Sequence, residues 1–135
     1  MDNRKIFVNL PVKDVAKAKS FYTALGFTLN PQFSDDCTGC IVVGPDIYAM
    51  LLSEQRFRDF SPRPLPDPRA TTGMLLALSC NSREEVRQLC EVAFAAGGRA
   101  YKEPQDHGFM YAWGFEDPDG HVWEPFWMDP AHVQG

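Results

Sequence analysis

Two helix-stop signals of the same kind, "ALGF" at residues 24–27 and "AAGG" at 95–98, divide the chain into halves that share one grammar. Gly26 and Gly97 lie 71 positions apart (97 − 26), about half of a 135-residue chain. In the first half, Ile6 to Leu10 is a short run of strand formers closed by Pro11. Asp14 then stands where a helix N-cap belongs, and Val15, Ala18, Phe21, Tyr22 and Leu25 recur at helical spacing up to the glycine. Strands are predicted at Thr28 to Gln32, Cys40 to Val43 and Ile47 to Leu52, with "SDDCTG" and "GPD" as breakers. The second half repeats the order. "GMLLALSC" is a strand, Ser82 or Asn81 a cap, and Val86, Leu89, Cys90 and Phe94 one helix face. Further strands follow near Arg99 to Lys102, Phe109 to Phe115 and His121 to Trp127.

A repeat of this length predicts an α+β fold of two βαβββ modules, because one such unit cannot cover its own apolar face. The expected division is 1–60 for the first module, 61–72 for a proline-rich link, 73–129 for the second module and 130–135 for a tail. The link, with the residues before it, reads as a loop or lid.

Net charge is −5, which argues against a nucleic-acid surface, since that needs a basic patch. No apolar run approaches the roughly 20 residues of a membrane helix, and the N-terminus lacks the apolar core of a signal peptide, so a cytoplasmic protein is expected. Cys37 and Cys40 form a "CTGC" pair, but Cys80 and Cys90 do not supply the second close pair of a structural zinc site. All four are expected as free thiols in or beside a core.

Three stretches carry a family resemblance: "LPVKDVAKAKSFYTALGF", "AFAAGGRAYKEPQDHG" and "FEDPDGHVWEPFW". In this order they resemble the vicinal oxygen chelate superfamily, which groups glyoxalase I, extradiol dioxygenases and bleomycin-resistance proteins. The resemblance implies curled mixed sheets around a cavity, and a homodimer. It also implies a divalent metal held by the first and last strand of each module. On those positions Glu124 matches, whereas Phe7 (or Asn9, if the neighbouring position serves), Met50 and Leu75 depart. No cofactor is therefore expected, a divalent ion held by other ligands being the alternative.

Strand parity predicts that Phe7, Asn9, Tyr48, Met50, Leu75, Ala77, Tyr111, Trp113, Glu124 and Phe126 line a concave face. Glu124 sits between Trp123 and Pro125 in an aromatic strand, and a carboxylate is tolerated there if its face is wet. Catalytic candidates are Glu124 and, on a turn, His107; His121 reads as a hairpin cap beside "DPDG". Two functions compete. One is a metal-independent binder of a small, partly apolar molecule. The other is a metal-dependent lyase, isomerase or dioxygenase that uses Glu124.

Overall fold

The structure, a computed structural model, describes residues 4–132; positions 1–3, and positions 133–135 of the expected tail, lie outside the described residues. The chain forms two compact units, Met1–Asp67 and Pro68–Gly135. The fold is α+β, with two βαβββ-like modules.

The first unit runs β1 (Ile6–Val12), α1 (Val15–Ala24), β2 (Thr28–Leu29), β3 (Thr38–Gly44), β4 (Ile47–Ser53) and α2 (Glu54–Phe60). Its mixed sheet has the order β1-β4-β3-β2, with β1 parallel to β4 and the other pairs antiparallel. Asp14 caps α1, its carboxylate accepting the Lys17 N–H at 3.0 Å, and Gly26 leaves the helix at φ +99°. Ala18, Phe21 and Tyr22 are buried against the sheet, as are Leu10, Ile41, Ala49 and Leu51 from its strands. Fully burying a side chain of the Phe or Leu class contributes roughly 1.5–3 kcal/mol, so this layer is the main hold on the unit. The Lys19 side chain of α1 crosses Gly39, where a Cβ would stand 2.9 Å from Lys19 Cγ.

Two sequence expectations are corrected in this unit. The strand expected over 28–32 ends at Leu29, because Pro31 has no N–H to donate and Asn30 Oδ1 accepts the Gln32 N–H at 2.9 Å, starting a 3-10 turn at Pro31–Phe33. The stretch read as loop begins as a helix, α2, capped by Ser53, whose hydroxyl accepts the Arg56 N–H at 3.1 Å.

The second unit comprises β5 (Leu75–Ser79), α3 (Arg83–Ala95), β6 (Arg99–Ala100), β7 (Gln105–Asp106), β8 (Met110–Ala112), β9 (Phe115–Glu116) and β10 (Val122–Met128). β10 is the spine of a six-stranded sheet that curls into a half-barrel. β5 pairs parallel on one side of it, and β8 and β9 pair antiparallel on the other. Ser82 is the cap of α3: its hydroxyl accepts from Glu85 N, and the Glu85 carboxylate takes the Asn81 N–H, both at 3.1 Å. Val86, Cys90 and Ala93 bury the inner face of α3. The strand expected over 109–115 is split at Trp113–Gly114 into β8 and β9, and β7 is an additional short strand.

Candidate functional site

β10 combines an aromatic strand with the carboxylate of Glu124, and its ladder decides what surrounds that carboxylate. Glu124 stands opposite Ala77 of β5. On its other side the pairs Phe126–Ala112 and Trp123–Phe115 bracket Gly114, and a Cβ on Gly114 would lie 3.7 Å from Glu124 Cγ. The two residues flanking Glu124 are thus among the smallest side chains available, so the carboxylate sits in a narrow notch between them. Tyr101, whose Cβ would be 3.9 Å from a Cβ on Gly114, borders the notch. Phe126, opposite Ser79 and Ala112, and the half-exposed Leu75 flank it along the strands.

Glu124 is not alone. Lys102 Nζ lies 3.5 Å from its Oε2; the lysine side chain is 39% exposed and the glutamate 16%. Lys102 is held from its backbone, since its carbonyl accepts the Trp113 indole N–H at 3.1 Å. Trp113 in turn stands edge-on to Phe94 of α3, ring centroids 5.3 Å apart.

That contact corrects the expected facing of two residues. Trp113 and Tyr111 lie on the α3 side of the sheet, not on the face of Glu124. Tyr111 packs beneath the guanidinium groups of Arg83 and Arg87, both on α3, at 5.7 and 5.9 Å from its ring. The ladder explains this: Ala112 is directly opposite Phe126, and cross-strand partners share a face, so Tyr111 and Trp113 must point the other way. Small residues at 112 and 114, beside bulky ones at 111 and 113, were the available signal. Lys102 and Gly114 were missed because their importance rests on pairing that spans strands.

His107 is exposed on the turn between β7 and β8, where its N–H bonds the Met110 carbonyl at 2.8 Å. That row of the sheet contains Met128 opposite Met110, four residues along β10 from Glu124, or roughly 13 Å at strand rise. The structure does not bring His107 and Glu124 together. Asp106, next to it, is gripped by Arg83 at 2.7 Å, and this bond with the Gly108 N–H holds its carboxyl below the usual range.

In the first unit, the open face of β1 and β4 carries Phe7, Asn9, Tyr48 and Met50. Phe7 and Tyr48, opposite each other in the ladder, stack with centroids 4.5 Å and planes 9° apart. Asn9 is exposed and opposite the half-buried Met50.

A divalent ion does not fit this donor set. Phe7, Met50 and Leu75 offer no nitrogen or oxygen lone pair, and the ammonium of Lys102 occupies the neighbourhood of Glu124. Among the described residues no group of three or more His, Cys, Asp or Glu side chains is arranged to hold a metal. The four cysteines are free thiols, with Cys40 and Cys90 buried and Cys37 exposed. No helix among the described residues is long and apolar enough to cross a membrane.

Comparison with known proteins agrees with this architecture. The family model described as Glyoxalase/Bleomycin resistance protein/Dioxygenase superfamily matches residues 6–124, ending on Glu124. No curated protein sequence matches the chain. Among solved structures, hypothetical protein SA1046 from S. aureus is 30% identical with a TM-score of 0.78, over 90% of this chain and 91% of that one. A glyoxalase-related enzyme from Fulvimarina pelagi is 21% identical with a TM-score of 0.77, over 92% and 87% of the two chains. A glyoxalase/bleomycin resistance protein/dioxygenase from Nocardioides is 24% identical with a TM-score of 0.71, over 96% and 85%; like the preceding one, it shares the fold. The chain belongs to the glyoxalase/bleomycin resistance protein/dioxygenase superfamily.

Proposed function

We propose that this chain binds a small, partly apolar molecule on its open sheet faces, in the manner of the bleomycin-resistance branch and without the family's usual catalytic metal. The observation that carries the reading is the chemistry of the residues at the positions that the family resemblance implies for a metal. Three of the four positions implied as metal ligands are Phe7, Met50 and Leu75, and the fourth, Glu124, pairs with Lys102. The alternative, a lyase, isomerase or dioxygenase, needs a Lewis acid with open coordination positions, and these residues do not build one. What each unit offers is an apolar face, Phe7, Tyr48 and Met50 in the first and Leu75 and Phe126 in the second, with a few polar groups, the composition suited to a small-molecule site.

The test is a fragment screen by thermal shift, followed by mapping of hits on amide resonances. Ligands that bind the native state raise the melting temperature. Hits are expected to move resonances of Leu75, Ala77, Glu124 and Phe126, and Glu124→Gln should weaken them while the protein stays folded. Hits that leave those resonances unmoved would overturn the reading, as would a Glu124→Gln protein that no longer folds.

A further inference from the structure

The Lys102–Glu124 pair carries an inference about which molecules the notch accepts, and it rests on the binding reading just given. We infer that this ion pair makes the notch selective for neutral ligands with a hydrogen-bond acceptor beside a donor, of the carboxamide type, and that Lys102 is a specificity-determining residue.

The pair presents two opposite charges 3.5 Å apart on one edge of the notch. That separation is longer than the 2.7–2.9 Å of a tight charge-assisted hydrogen bond, so it leaves both groups with unused hydrogen-bonding capacity. Lys102 has three N–H donors, and among the described residues its ammonium meets no acceptor besides Glu124. The carboxylate, only 16% exposed, has lone pairs beyond the one facing Lys102. A donor group and an acceptor group therefore stand side by side. Ala77 on one side of Glu124 is exposed and adds only a methyl group, while Gly114 on the other side is buried.

Charge arithmetic then separates the possible occupants. Near a protein surface, charges within a few ångströms interact far more strongly than in bulk water. An organic anion is attracted by Lys102 and repelled to a similar extent by Glu124. An organic cation does the reverse. Either charged ligand can win only by prising the pair apart, which strands a largely covered carboxylate or its ammonium without a partner. A neutral amide leaves the pair intact: its carbonyl accepts from Lys102 and its N–H donates to Glu124. Its apolar remainder lies over Ala77, Leu75 and Phe126.

Benzamide, benzoate and benzylamine test this directly, because they share one ring and differ in charge. Binding of each is followed by amide chemical-shift titration of the full chain at pH 7 and low salt. The wild type should bind benzamide at least ten-fold more tightly than either charged probe. Lys102→Met removes the ammonium and should shift preference to benzylamine by ten-fold or more; Glu124→Gln should shift it to benzoate. The double variant Lys102→Met/Glu124→Gln has no charge to satisfy and should lose discrimination between the two charged probes. A wild type that prefers a charged probe overturns the inference, and so does a preference order unchanged in both single variants. If no probe moves the resonances of Ala77, Gly114 and Phe126 in any variant, the binding reading itself falls, and this inference with it.

Discussion

Asp117 and His121 clasp each other across the turn that launches β10. The fully buried Asp117 accepts the His121 N–H on Oδ1 at 2.8 Å, and its own N–H donates to the His121 carbonyl at 2.9 Å. Asp117 Oδ1 also accepts the Asp119 N–H, at 2.9 Å. This clasp fixes where β10 begins, and hence which residue of the strand meets Ala77. Asp117→Ala leaves the two N–H groups without their acceptor and should destabilise the protein by about 1–3 kcal/mol in urea unfolding. Asp117→Asn keeps an acceptor oxygen and should cost less.

The same turn depends on Gly120, at φ +100°, with Arg69 crossing over it. A Cβ there would lie 2.8 Å from Arg69 Cγ and 3.1 Å from Arg69 N. Gly120→Ala should therefore cost more than the roughly 1 kcal/mol of an unobstructed left-handed site. Arg69, which donates to the Pro118 carbonyl and lies 3.8 Å from Glu116, would have to move. Chemical denaturation of Gly120→Ala alongside Gly26→Ala, where nothing lies within 4 Å, separates the clash from the backbone strain.

Arg83 ties α3 to the β7–β8 turn through Asp106 and the Gly108 carbonyl. The Arg83 bond depresses the Asp106 pKa, so its contribution is fully present above the ordinary carboxylate pKa near 4. It is lost as pH falls through the lower folded value. The stability difference between wild type and Asp106→Asn should be flat from pH 7 to about 5 and shrink in more acidic solution. Salt should reduce it, because the pair is exposed. A difference that grows on acidification would contradict this.

Burial pushes the Cys90 thiol up to about 12 and the Cys80 thiol up to about 11, and raises that of Cys40. Only a thiolate attacks a disulfide reagent, so these three should react slowly in the native protein at pH 8. Cys37, exposed, should react first, and Cys37→Ser should abolish the fast phase. Denaturant should release the remaining thiols.

The paired modules were legible because their signals are local: Asp14 and Ser82 cap helices, and Gly26 and Gly97 end them with positive φ. Phe7, Asn9, Tyr48 and Met50 fall on one face because β1 and β4 are regular over seven residues each. Tyr111 and Trp113 were misassigned for a different reason. Alternation within a strand gives two faces, but which is covered by α3 depends on pairing with β10, a long-range fact. Aromatic bulk suggested a ligand wall there, whereas Arg83, Arg87 and Phe94 are what it meets. Lys102 was invisible as a partner of Glu124 because they lie 22 positions apart (124 − 102), with the strands β7, β8 and β9 between them in the chain.

Metal content distinguishes a Glu124 that serves a binding face from one that belongs to a metal centre. Protein purified without chelator is incubated with zinc, nickel, manganese or iron(II), desalted, and assayed by inductively coupled plasma mass spectrometry beside Glu124→Gln. Metal should be substoichiometric and the same in both proteins, because a single carboxylate already paired with Lys102 holds such ions weakly. A stoichiometric ion in the wild type that disappears in Glu124→Gln would contradict it.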